Sequence, residues 1–353
     1  MAKKRKTLPK DFSELIKRGD IDALKAVFDT CEINAYSGYN KDPAMSTYDI
    51  PEELVRWLVF QGADINATDA TYKRTPLHFH SSGRYTTIID VFLELGADVN
   101  AVDCYGSTPL HFAAGSSSQK VTALLAHGAN PLSENNSKQT PLAYALARAS
   151  NIDIEKMSEI ASILLKAGTP ITPAMLESVE RIGKDFEWHR ANFAKDSVIA
   201  TSAALECLYE IFGVTPVEKR HMHDGVSPIV VPTGKPTNQH YELWQLLVPS
   251  SGSAKTVQGE VIRITGKIHG EIFRNGACNW DKGFRQMLDA LLLHFASETA
   301  LNVALLNEAE NAIKQIRPQG DGDEEINRLC ELAVAWVALN PQPVFLNETN
   351  YDR

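Results

Sequence analysis

Cysteine is scarce in this 353-residue chain, and its placement excludes more than its number does. Cys31, Cys104, Cys207, Cys278 and Cys330 are odd in number and scattered, with no CxxC pair. This argues against a disulfide framework or a thiolate metal cluster and reads as a reducing, cytoplasmic compartment. No stretch of about 18 unbroken apolar residues occurs, so a membrane span is not expected. The basic start Lys3-Lys4-Arg5-Lys6 runs into Thr7-Leu8-Pro9-Lys10 and not into an apolar segment, so an ordinary secretory signal is not expected either. Apolar residues at 44% against charged residues at 22% rule out wholesale disorder. The length suits two or three domains.

The net charge is −9, and the basic residues of the first ten sit on a body more acidic still. Such a body argues against a phosphate backbone as the main partner, and residues 1–10 read as a disordered basic tail.

The chain is also strongly self-similar. Thr75-Pro76-Leu77-His78-Phe79 recurs as Thr108-Pro109-Leu110-His111-Phe112 and as Thr140-Pro141-Leu142-Ala143-Tyr144. A second marker runs out of phase with it: Gly62-Ala63-Asp64, Gly96-Ala97-Asp98 and Gly128-Ala129-Asn130. Two markers with one spacing signal a repeat architecture. Each threonine suits a helix N-cap and each proline the first helical position. Val121, Leu124 and Leu125 then give a second helix its apolar face, and Gly128 stops it. A helix pair of this size cannot fold alone, and stacking buries a continuous core.

The pattern resembles the ankyrin repeat, matched best by residues 102–133. The fold class expected is therefore all-α: an ankyrin-repeat solenoid of about five units over residues 11–172, followed by an all-helical C-terminal domain. The first two units, 11–35 and 36–67, are degenerate; the second lacks the Thr-Pro-Leu-His run and the first suits an N-terminal cap. The turn after Asp69 is one residue longer than the one after Asp103, so it should bulge. The resemblance implies that His78 and His111 bond neighbouring backbone at the stack interface.

Beyond residue 172 the period ends. Residues 173–213 read as a helical cap or connector, 214–238 as a proline-rich ordered linker, and 239–353 as a helical bundle. Residues 241–288 resemble segments of other bacterial proteins, some of which carry ankyrin repeats, with no activity attached; this suggests a bacterial origin.

Chemistry-bearing groups are few. Ser250-Ser251-Gly252-Ser253-Ala254-Lys255-Thr256 precedes a helix and lacks the spacing of a phosphate-binding P-loop, so a capped start with Ser253 as N-cap is expected. His221-Met222-His223-Asp224 offers two imidazoles but no third ligand at useful spacing. No metal or cofactor is expected. Gln258, Glu260, Arg263, Asn275, Asn279, Trp280 and Asp281 form a polar set that reads either as a pocket or as a buried network pinning a loop to its helix.

The resemblance implies that turn tips and inner helix faces contact proteins. Here these positions are Tyr36, Tyr39, Asn40, Ala70, Thr71, Tyr72, Lys73, Arg74, Cys104, Tyr105, Asn135, Asn136 and Lys138. His80 and Arg84 come next, beside Ser81, Ser82, Ser116 and Ser117. The function expected is non-enzymatic binding of one protein partner, with an inhibitor or immunity protein acting on a basic toxin or enzyme as the narrower form. The alternative is a small-molecule-binding or enzymatic domain within residues 214–340, targeted by the repeats.

Overall fold

The computed structural model describes residues 3–83 and 88–351. They form two compact units: the chain up to Phe186 with Phe193–Val217, and Glu187–Asn192 with the residues from Glu218 onward. No described helix is long and apolar enough to cross a membrane.

The first unit opens with α1 (Phe12–Arg18) and α2 (Ile21–Thr30). The strands of a small sheet precede and follow them in sequence. Strand β1 (Arg5–Thr7) pairs in parallel with β2 (Cys31–Ser37), which pairs antiparallel with β3 (Asp42–Pro43). This corrects the expectation of a disordered basic tail and adds strands to a chain read as wholly helical. The cause is tertiary: Cys31 and Ala35 turn into the core, and the Lys4 ammonium caps α2 by donating to Phe28 O (2.7 Å).

Six short helices follow: α3 (Glu52–Phe60), α4 (Pro76–Ser82), α5 (Ile89–Glu94), α6 (Pro109–Ala114), α7 (Ser118–Ala126) and α8 (Pro141–Arg148). The longer α9 (Ile154–Lys166), α10 (Pro173–His189) and α11 (Lys195–Phe212) complete the unit, apart from the last turn of α10. Helices α4, α6 and α8 stack as one layer, and α5, α7, α9 and α11 as the other. Their apolar faces share one core, in which Leu77, Leu110 and Leu142 repeat as fully buried residues. At the stops after α5 and α7, Gly96 and Gly128 both have φ +87°, which a side chain would oppose.

Polar groups of one repeat are completed by the next. Nδ1 of His78 accepts from Thr75 N–H (3.1 Å), so its proton sits on Nε2 and is donated to Ser107 O (3.0 Å). His111 does the same with Thr108 N–H and Gln139 O. Side-chain oxygens of Asn34, Asn66 and Asn100 accept from Asp64, Asp98 and Asn130 N–H, one unit on. Cations close the helix C-termini. The buried Lys120 ammonium reaches His80 O, Ser81 O and Gly83 O at the end of α4. Lys156 reaches Gly115 O after α6, and Arg181 reaches Leu146 O in α8. Each places positive charge at the negative end of a helix dipole. Burial without a carboxylate partner lowers the Lys120 pKa to about 8.

The second unit is a bundle of α12 (Pro236–Leu247), α13 (Val257–Asn275), α14 (Lys282–Phe295), α15 (Val303–Ile316) and α16 (Asp323–Leu339). Helix α13 is its axis and packs on α12, α14 and α16. Its N-cap is Thr256, which accepts from Gly259 N–H (3.1 Å), and not the expected Ser253. The segment read as a linker is anchored to this unit: Ile229 is buried and donates its N–H to Pro341 O (2.7 Å).

Burial lowers the pKa of His78 and His111 despite the opposing carbonyl bonds. Both rings therefore take up a proton at lower pH in the folded chain than in the unfolded one, where a histidine titrates at about pH 6.5. The unfolded state binds more protons in the window between the two, so stability falls as pH drops through it. Urea unfolding should show His78→Gln/His111→Gln less stable than wild type at neutral pH by about 1–3 kcal/mol per site. The variant should lose less further stability on acidification to about pH 5.5; equal losses would refute the assignment.

Candidate functional site

Three carboxylate or amide side chains shape the turn tips of the repeat unit. Asp69 Oδ1 accepts from Thr71 and Tyr72 N–H, and its Oδ2 from Arg74 N–H (3.0 Å). Asp103 Oδ1 accepts from Tyr105 and Ser107 N–H, both at 2.9 Å. Asn135 Oδ1 accepts from Ser137 (2.9 Å) and Gln139 (3.0 Å) N–H. The tips are then stitched by backbone: Ala70 N–H to Asn40 O (2.7 Å), Cys104 N–H to Tyr72 O (2.8 Å) and Asn136 N–H to Tyr105 O (2.9 Å). This fixes the spacing of whatever the tips display.

They display lysine and tyrosine. Lys41, Lys73 and Lys138 are exposed and adopt left-handed backbone, with φ of 57°, 58° and 58°. At the intervening tip the same place is held by Gly106, φ +73°. Glycine takes this conformation without penalty, whereas a side chain costs about 1 kcal/mol. Beside the lysines, Tyr39 is 96% exposed and Tyr105 54%. Tyr72 lies 6.3 Å from Tyr105, ring to ring. The Arg74 guanidinium sits 4.8 Å from both the Tyr72 and Phe112 rings and 3.4 Å from Asp103 Oδ2. The aromatic row continues through Phe112 to Tyr144 (6.4 Å), where Arg148 lies 3.7 Å over the ring.

Of the residues singled out from sequence, Tyr39, Thr71, Lys73, Cys104, Tyr105 and Asn136 are exposed, and Tyr72 and Arg74 are half-buried. Two are not available to a partner. Asn135 is buried within its own turn. His80 is buried, donates from Nε2–H to Met45 O (2.8 Å), and stacks on Phe92 at 5.0 Å. Burial also lowers its pKa, against the Met45 bond. Asn136 Nδ2 further ties back to Cys104 O (3.2 Å). Arg84 lies outside the described residues. Sequence reasoning missed Phe112, Tyr144 and Arg148 as surface groups. The signal was the aromatic in fifth place of each Thr-Pro-Leu run, read there only as part of the repeat.

The polar set of the second unit divides into separate clusters. Glu260 and Arg263 form a buried bidentate pair (Nε to Oε2 2.8 Å, Nη2 to Oε1 2.6 Å). Tyr351 Oη donates to Glu260 Oε1 (2.6 Å), and Ala254 N–H to Oε2 (3.0 Å). Burial opposes ionisation of Glu260, yet the Arg263 and Tyr351 bonds together hold its carboxyl below the usual range. The Gln258 amide donates to Asn340 O and Gln342 O and accepts from Val344 N–H, latching the chain after α16 onto α13. Asn275 and Asn279 instead bond Glu271. Trp280 stacks on Phe284 at 5.0 Å, and Asp281 caps α14. These residues bond to one another and to the backbone in separate clusters.

Among the described residues, no group of three or more His, Cys, Asp or Glu side chains is placed to hold a metal ion.

Comparison with known proteins agrees with the repeat geometry. Residues 44–135 match the family of ankyrin repeats in three copies. A putative ankyrin repeat protein of fowlpox virus is 38% identical over 76 residues, 21% of this chain and 40% of that protein. A serine/threonine-protein kinase of Arabidopsis thaliana is 43% identical over 70 residues, 20% of this chain and 16% of the kinase. A putative ankyrin repeat protein of Rickettsia bellii is 34% identical over 64 residues, 18% of this chain and 26% of the relative. The chain thus spans less than half the length of these curated relatives.

Glu260→Gln should leave the buried Arg263 charge without its counter-ion and cost about 3–5 kcal/mol. Urea unfolding followed by the fluorescence of Trp336, buried in the same bundle, reads this. A loss below about 1 kcal/mol would show the pair to be dispensable.

Proposed function

We propose that the first unit of this chain, whose ankyrin repeats occupy residues 44–135, is a protein-binding module and that its turn tips grip an acidic segment of the partner. The observation that carries this is the row of three exposed lysines in left-handed backbone. Folding alone favours glycine there, as Gly106 illustrates. Residues kept at a conformational cost point to a use in recognition. Tyr39, Tyr72 and Tyr105 add large contact area at small entropy cost, and the turns that hold them are already rigid.

Acidic residues at the tips do little to cancel the lysines. Asp69 and Asp103 are buried and spent on turn amides, and among the described residues the one ion pair to a tip lysine is that of Glu134 with Lys138, at 3.6 Å. The local charge thus favours an acidic target over the basic one anticipated from net charge. In its finer form the partner is an enzyme or toxin whose activity falls on binding. Free thiols at all five cysteines support placing the encounter in a reducing cytoplasm. The role is binding and not catalysis; the kinase among the relatives shares only a short stretch with this chain.

Two substitutions sets test the reading once a partner is captured. Lys41→Gly/Lys73→Gly/Lys138→Gly should be at least as stable as wild type, because the strained positions relax. It should still bind about tenfold or more weakly, with a shallower salt dependence. Tyr72→Ala/Tyr105→Ala should lose on the order of 30-fold in affinity measured by calorimetry. Full affinity in both variants would refute a tip-centred interface.

A further inference from the structure

The second unit contains a cavity of about 180 Å3 whose lining includes Arg220, His223 and Lys255 but no acidic side chain, in a chain of net charge −9. It lies where the loop around Arg220–Gly225, the end of α12 and the Ser250–Thr256 loop meet. Met222, Leu247 and Pro249 give it apolar wall.

Two of the three basic groups are in unusual states. The His223 side chain is 10% exposed. Its Nδ1 accepts from Gly225 N–H (3.0 Å), so the proton sits on Nε2. That buried Nε2–H has no acceptor among the described residues. A buried donor left unsatisfied costs about 1–3 kcal/mol. The neighbouring Asp224 does not answer it: 3.7 Å from Nδ1, its carboxylate accepts from Val226 and Ser227 N–H.

The Arg220 guanidinium is spent on backbone carbonyls alone. It donates to Gln245 O (2.8 Å), Trp188 O, Trp244 O and Val248 O, and lies 3.7 Å from the Trp188 ring. Among the described residues no carboxylate pairs with the guanidinium, Glu187 accepting only from the Arg220 backbone N–H (3.4 Å) and pairing with Arg190, and burial lowers the Arg220 pKa to about 10. Lys255, exposed at the rim, has no carboxylate partner among the described residues. The cavity also includes Thr256, the N-cap of α13, so the positive end of that helix faces the same region. Positive potential from three sources, Arg220, Lys255 and the helix end, converges on a space with apolar wall, and the idle Nε2–H belongs to a residue of its lining.

We propose that this cavity binds a small organic carboxylate, its oxygens accepting from His223 Nε2–H and pairing with Lys255, and its hydrocarbon part resting against Met222 and Leu247. The apolar wall selects an organic acid over inorganic phosphate. The site is separate from the turn tips, so it stands or falls independently of the protein-binding reading.

Calorimetric titration of the full chain with hexanoate, 1-hexanol and inorganic phosphate tests it, with the His223 imidazole resonances followed by NMR. Hexanoate should bind saturably and shift the His223 ring signals, and hexanol and phosphate should bind about tenfold more weakly or less. His223→Phe keeps a ring but removes the donor, and should weaken hexanoate about tenfold. Lys255→Met, at an exposed position, gives the same comparison without risk to folding. Absence of saturable hexanoate binding, equal binding of hexanol, tighter binding of phosphate, or unchanged affinity in both variants would overturn the proposal.

Discussion

The first unit depends on hydrogen bonds that no repeat can complete within itself. His78 satisfies its own threonine cap through Nδ1 and must then place its Nε2 proton on the next turn, at Ser107 O. His111 repeats the arrangement one unit on. The asparagine ladder and the lysine and arginine caps follow the same logic, so buried donors and acceptors find partners only when neighbours are stacked. Apolar burial supplies the drive, while these bonds fix register, because a slipped neighbour would leave several of them unmade.

A polar framework of this kind also explains which residues are left for recognition. The turn is shaped by Asp69, Asp103 and Asn135 together with backbone amides, so side chains at the apex carry little structural duty. The three lysines stand out because they go further and work mildly against the fold. The second unit uses a different solution. Its long central helix is pinned to the chain beyond α16 by the Tyr351 bond to Glu260, itself paired with Arg263 in the same helix, and by an amide latch, with contacts more than eighty residues apart in sequence.

What was legible in the sequence was local. The Thr-Pro starts and Gly-Ala stops announced the helices, and the repeat spacing announced the stack. The histidine role was legible through the ankyrin resemblance. The strand at Cys31–Ser37 was not, because its partner at Arg5–Thr7 looked like an unstructured basic run. His80 and Asn135 carried surface-like chemistry into buried positions, since their partners, Met45 O and the amides of their own turn, are supplied by tertiary placement and turn closure. The polar set at 258–281 was recognisable as polar but not as separate clusters, because Tyr351 and Glu271, which organise two of them, gave no motif of their own. His223 was noticed as half of a metal pair, and its true oddity, an idle buried proton, appears only in three dimensions.

Tips whose geometry is set by main-chain amides have an evolutionary corollary. Positions such as Lys73, Cys104 and Lys138 can drift in identity without dragging the scaffold with them. Natural variation, or a laboratory library confined to those sites, would therefore explore new specificities at nearly constant foldability, and the chain's ability to change clients is inherited from the rigidity of its turns.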